Sequence, residues 1–169
     1  MSNQSPEFVM TRTFNVPRER MWQAWTDPEQ ANKWFGPKGC TVTYTSFDLR
    51  PGGAACYCVS FNGQNMWGRW GYQELKAPEK LVAVVSFTDE SGKKIVPHPG
   101  MPNWPLEILS TISFADRGDK TEVQVDWRPY NASPSEVKAF AENTAGMEQG
   151  WGGSLEQLGA FLSEKARAA

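Results

Sequence analysis

Residues 146–158, "GMEQGWGGSLEQL", hold four glycines in thirteen positions. An interior glycine costs a helix ~1 kcal/mol relative to alanine, so composition argues against a helix here. Spacing argues for one. Val137, Phe140, Thr144, Met147, Trp151, Leu155, Leu158 and Leu162 recur at steps of three and four, which is one face of an α-helix. Upstream, Ser133-Pro134-Ser135-Glu136 is a capping box with proline in the first turn. The expected helix runs from Pro134 to about Ala166 and would be ~50 Å long. A domain of this size has a radius of gyration near ~15 Å, so the helix must cross the whole molecule and bend. At ~100° per residue, Gly150 and Gly152 flank Trp151 on the apolar face, while Gly146 and Gly153 point to solvent. The first pair is expected to serve close approach and the second pair bending.

The rest of the chain supplies what that helix packs on. Residues 7–14 read as a strand, and residues 17–26 and 28–35 as two short helices. Asp27 precedes Pro28 as a cap, and Gly36-Pro37 ends the second helix. Strands follow at 42–49, 54–61, 64–75, 80–87, 106–115 and 120–127. Asn62-Gly63 marks a two-residue hairpin turn. Its register sets Phe61 against Gln64, Val59 against Met66, Tyr57 against Gly68 and Ala55 against Trp70. The face carrying Tyr57, Val59, Met66 and Trp70 is the bulkier and more apolar, and is assigned to the helix side. Gly68 opposite Tyr57 leaves room there. Trp67 falls on the other face beside Arg69, where an exposed ring would mark a dimer contact. The fold expected is α+β: a curved antiparallel sheet of six or seven strands gripping the last helix, with a cavity between them.

Residues 88–105 hold four prolines and no periodicity. A loop of that length in a compact domain reads as a rim or lid. It contains His98, the only histidine, and Trp104.

The 169 residues fit one domain, with its core at about 8–162. Seventeen basic and nineteen acidic residues give a net charge of −2, and no basic run points to nucleic acid. No signal peptide or membrane-spanning stretch is expected. Three cysteines, an odd number, read as reduced thiols and a cytoplasmic protein. Cys56, Cys58 and His98 match no closed zinc spacing, and no metal or cofactor is expected. A lone histidine makes no triad, no G-x-S-x-G element is present, and no glycine-rich phosphate loop opens a helix. The residues therefore form no recognisable catalytic constellation.

In order, "FNVPRERMWQAWTDPEQANKWFGP", "DLRPGG", the Asn62-Gly63 hairpin, "GYQELKAPEKLV", "FTDESG", "NWP" and "GMEQGWGGSLEQLGAFL" resemble the family named for homology to the activator of the 90-kDa heat-shock-protein ATPase. That family belongs to the START-like, or SRPBCC, superfamily, with the birch-pollen-allergen helix-grip fold. The resemblance implies a deep cavity between sheet and helix. It says less about chemistry, because the superfamily includes lipid and hormone binders, cyclases and ring-hydroxylase subunits. The chaperone name belongs to a eukaryotic member that works beside a second domain, for which this chain has no room. The expected function is a soluble domain holding a small apolar or aromatic molecule, with Tyr57, Val59, Met66, Trp70, His98, Trp104, Met147, Trp151 and Leu155 as candidate contacts. One alternative is a cyclase- or lyase-like enzyme using Tyr57, Tyr72 or His98 for proton transfer. A stress-response or co-chaperone-like module is a further one, and a homodimer is possible.

Overall fold

The computed structural model describes residues 6–36 and 39–168, the side chains of 165–168 excepted. Pro37 and the first five residues, on which the helix stop and the absence of a signal peptide were read, lie outside that range. The elements are β1 (Phe8–Phe14), α1 (Arg18–Thr26), α2 (Pro28–Trp34), β2 (Thr41–Phe47), β3 (Ala54–Phe61), β4 (Gln64–Lys76), β5 (Lys80–Thr88), β6 (Ile108–Arg117), β7 (Lys120–Pro129), α3 (Pro134–Glu142) and α4 (Thr144–Ala168). All seven strands form one antiparallel sheet in the order β1-β7-β6-β5-β4-β3-β2.

The β3–β4 hairpin has the register that its turn predicts: Tyr57 opposes Gly68, Val59 opposes Met66 and Ala55 opposes Trp70. Asn62 and Gly63 both take positive φ, 51° and 78°, as a tight hairpin turn demands. In β7, Thr121, Val123 and Val125 are buried while Glu122, Gln124 and Asp126 are partly exposed. Period-two alternation therefore places one face of the sheet against the helices.

The expected single helix is two. α3 stops at Asn143, whose φ and ψ are −112° and 29°. Its N–H closes on the Phe140 carbonyl at 3.1 Å, and its own carbonyl accepts from Met147 N at 3.1 Å, the first bond of α4. Asparagine readily leaves helical geometry because its side chain competes for backbone partners. The interruption of the helix thus falls at Asn143 rather than among the glycines. At its other end α3 has the capping box: Ser133 Oγ accepts from Glu136 N at 3.2 Å and Glu136 Oε1 accepts from Ser133 N at 3.2 Å. Glu136 Oε2 also accepts from Leu106 N at 2.8 Å, which ties the long loop to the helix. Ser133→Ala is expected to lower stability by roughly 0.5–2 kcal/mol, read as the shift in a urea midpoint; an unchanged midpoint would count against the cap.

α4 buries Met147, Trp151, Leu155, Leu158 and Leu162, the predicted stripe. Its polar residues fix its position. Ser154 Oγ donates to Gly36 O at 3.0 Å, and Gln157 Nε2 donates to Trp34 O at 3.0 Å and Gly36 O at 2.7 Å. These side chains satisfy carbonyls that the end of α2 leaves open. At the start of α2, the Asp27 carboxylate accepts from Glu29 N at 3.0 Å. Trp25, Trp34 and Phe35 pack beneath: Trp25 meets Trp34 edge-on at 4.7 Å and stacks on Trp151 at 6.1 Å.

Candidate functional site

A cavity of about 290 Å³ lies between the sheet, the end of α2, the β5–β6 loop and the α3–α4 junction. The sheet supplies Tyr57 and Val59 from β3, Met66 and Trp70 from β4, Val85 and Phe87 from β5, Ile108 from β6 and Trp127 from β7. Phe35 and Gly36 close one end. Asn143, Gly146, Met147, Gly150, Trp151 and Ser154 form the helical wall. Among the described residues, no Asp, Glu, Lys or Arg lines the space.

The loop makes the fourth wall because β5 outruns its neighbour. Pairing between β5 and β6 ends at Val85–Ile108, so Ser86, Phe87 and Thr88 project past β6. The loop first folds against the outer face, where Arg69 Nη1 donates to Gly92 O at 3.4 Å. It then returns along β5, through Val96 N donating to Phe87 O at 3.0 Å and a bridge between Thr88 and Ile95. Met101, Trp104 and Pro105 end on the cavity. Trp104 is buried and stacks on Phe140 of α3 at 5.5 Å and 27°. His98 meets the Phe87 ring at 4.8 Å.

Of the nine residues expected at the site, eight line the cavity: Tyr57, Val59, Met66, Trp70, His98, Trp104, Met147 and Trp151. Leu155 does not. It is fully buried one turn below Trp151 in the closed core, since a residue four further along the stripe moves down the helix axis and away from the cavity. Tyr72 is buried beside a second, much smaller hollow of about 20 Å³, away from this cavity. Phe35, Val85, Phe87, Met101 and Trp127 were not anticipated. Trp127 was legible, because it ends the buried alternation of β7. Phe87 and Val85 face Gly68 and Trp70 only through the β4–β5 register, which no tight turn announces.

Three expectations about shape change. Gly146 does not face solvent alone: with Gly150 it lines the cavity, one helical turn apart. A Cβ on Gly150 would meet nothing within 4 Å, so this glycine opens space rather than admitting a packed neighbour. A Cβ on Gly152 would reach only an ordinary 3.7 Å contact with the Arg12 guanidinium, and Gly153 is half-buried. At Gly68 the room is occupied: a Cβ there would lie 2.5 Å from both Cζ and the hydroxyl oxygen of Tyr57, whose ring folds across it. Trp67 is half-buried and is among the residues around the cavity, and Arg69 is engaged with Gly92. That face therefore lacks the exposed ring on which the dimer contact was expected.

Burial pushes the Tyr57 phenol up to about 12, with a side-chain hydrogen bond to Trp70 acting the other way. Tyr57 is thus neutral at physiological pH, a form that can donate or accept a hydrogen bond. Burial lowers the pKa of His98. Its Nδ1 accepts from Gly100 N at 2.9 Å, which leaves the proton of the neutral ring on Nε2. Because the folded pKa lies below the unfolded one, the unfolded chain binds more protons between the two values. The His98 contribution to stability is therefore complete above the ordinary value of 6.5 and is lost as pH falls through the lowered one. The stability difference between wild type and His98→Gln is expected to shrink between pH 7.5 and pH 5. A difference that holds constant or widens on acidification would contradict a depressed His98.

Among the described residues, no group of His, Cys, Asp and Glu could hold a metal ion, and no helix is long and apolar enough to cross a membrane. Cys40, Cys56 and Cys58 are free thiols.

The family model for Activator of Hsp90 ATPase homolog 1-like proteins matches residues 15–163. No curated protein matches the chain. Among solved structures, a protein from Arthrobacter aurescens is 25% identical with a TM-score of 0.80, over 95% of this chain and 87% of that one. A protein from Mycobacterium smegmatis is 23% identical with a TM-score of 0.75, over 94% and 91%. DynU16, from the dynemicin biosynthetic locus, is 17% identical with a TM-score of 0.62, over 93% of this chain and 47% of that one. The last two likenesses are of fold alone. The open seven-stranded sheet, the paired short helices, the long final helix and the extent of the family match agree. The chain belongs to the family of Activator of Hsp90 ATPase homolog 1-like proteins.

Proposed function

We propose that the chain is a binding protein for one small, neutral, apolar or aromatic molecule held between the sheet and α4. The observation that carries this reading is the cavity wall: among the described residues it holds five tryptophans, two phenylalanines, three methionines and no charged side chain. A charged ligand would lose its hydration with no countercharge in return. At about 290 Å³ the space sits at the lower end of the ~300–1,000 Å³ typical of ligand sites, which suits a one- or two-ring molecule better than a long-chain lipid. The free thiols at Cys40, Cys56 and Cys58 support a cytoplasmic location, where such thiols persist.

An enzymatic reading has one observation in its favour, the placement of His98 and Tyr57 around the same cavity. Tyr57 is held in its neutral form, and His98 has no carboxylate beside it at the cavity, so neither is set up as a strong base. Binding without turnover is the simpler function for this lining. Calorimetric titration with 2-isopropylnaphthalene is expected to saturate at one molecule per chain. Heat that never saturates, or no heat and no shift in melting temperature, would sink the reading.

A further inference from the structure

Three of the chain's six methionines line the cavity, and each comes from a different element: Met66 from β4, Met101 from the β5–β6 loop and Met147 from α4. Along β4 the lining starts at Met66 and stops at Trp70, since Tyr72, two residues on, borders the smaller hollow instead. Along α4 it runs from Gly146 and Met147 to Trp151 and Ser154, and Leu155 lies beyond it in closed core. Near these two stops the elements touch, because the Trp70 and Trp151 rings meet edge-on at 6.4 Å. The cavity therefore extends from that contact toward the methionines, and Gly146, beside Met147, is exposed.

The two ends differ in stiffness. At the closed end Trp151 is wedged among Trp25, Phe35, Trp70 and Trp127, with ring centroids 5.5 to 6.4 Å apart. Trp127 is also pinned by its Nε1–H, which donates to Ser110 Oγ at 2.9 Å. Interlocked rings at packed density hold each other's side-chain angles, so this end keeps its shape. At the other end the backbone is held and the side chains can adapt. Met101 N donates to His98 O at 3.3 Å, and Met101 O accepts from Trp104 N at 3.0 Å. Met66 sits in the ladder opposite Val59. A methionine side chain is unbranched, has three rotatable bonds and refills a gap of changed outline, whereas a β-branched chain is stiff at χ1.

Resting on the binding function above, we propose that the cavity takes the flat ring of its ligand at the tryptophan end and a short, flexible alkyl chain at the methionine end, with Met66, Met101 and Met147 setting which chains fit. The ligand class is then an alkyl-substituted aromatic compound. Its ring is selected strictly and its substituent loosely, because one wall is rigid and the other adapts.

The test titrates the full chain with naphthalene and its 2-methyl, 2-ethyl and 2-butyl derivatives. Affinity is expected to rise at least about twofold for each methylene added, against roughly fourfold for complete burial. Met66→Ile and, separately, Met101→Ile should cut the ratio of 2-butylnaphthalene affinity to naphthalene affinity by at least about fivefold. In the wild type, lengthening the chain should move the methyl resonances of Met66, Met101 and Met147. It should leave the indole N–H resonances of Trp127 and Trp151 where naphthalene puts them. That spectrum decides should either variant fail to fold. An affinity that falls from the ethyl to the butyl compound, a ratio that neither variant changes, or indole shifts that follow chain length would overturn the proposal and leave the apolar cavity standing. If no member of the series binds, the binding function fails, and the proposal with it.

Discussion

Trp151→Ala is expected to lower stability by roughly 3 kcal/mol, near the lower end of the range for removing a buried tryptophan. The ring is 5% exposed and holds four others together. It stacks on Trp25 at 6.1 Å and meets Trp127 at 5.5 Å, Phe35 at 6.3 Å and Trp70 at 6.4 Å. These come from α1, β7, β4 and the residue after α2, so the substitution loosens the helices from the sheet. The cost stays at the low end because part of the ring borders open cavity and has fewer contacts to lose there. For a chain of this length a loss of that size lowers the melting temperature by about 6–12 °C. Calorimetry or thermal circular dichroism reads it. A shift below about 2 °C would mean that the ring is not the keystone of the cluster.

Gly150→Leu is expected to have the opposite profile: little or no loss of stability, and at least a tenfold loss of probe binding. The position is helical and its Cβ would meet nothing within 4 Å, so leucine is expected to gain helix propensity of ~0.8 kcal/mol over glycine. The branched side chain then occupies the cavity beside Trp151. Gly150→Ala is the control, with a small gain in stability and near-normal binding. At Gly146 the same logic fails, because a Cβ there would lie 2.5 Å from the Asn143 side-chain oxygen and disturb the α3–α4 junction. If Gly150→Leu binds 2-isopropylnaphthalene as wild type does, the probe sits elsewhere.

Much of the fold was legible because its signals are local. The Asn62-Gly63 turn determines a whole hairpin register, and the stripe from Met147 to Leu162 identifies the buried face of α4 despite its glycines. The capping box at Ser133 and the Asp27 cap are short-range patterns with a single geometric solution. What escaped depends on several elements at once. The glycine classes went astray because an angle measured about Trp151 does not say whether a packed neighbour or open space lies opposite, and Gly150 faces the cavity. Phe87 and Met101 reach the cavity only because β5 runs beyond β6 and the loop doubles back on it, and Val85 is set opposite Trp70 only by the β4–β5 register. Leu155 shares the apolar stripe with Trp151, but a stripe does not say where a cavity ends along it.

The central claim is that the chain takes one small neutral molecule into the cavity between sheet, loop and α4. The most direct measurement is a titration with 2-isopropylnaphthalene followed through the eight tryptophan indole N–H resonances. Binding in the cavity predicts saturable one-to-one shifts at Trp67, Trp70, Trp104, Trp127 and Trp151, with Trp22 and Trp34 unmoved. Shifts that never saturate, or that spare Trp127 and Trp151, would contradict it.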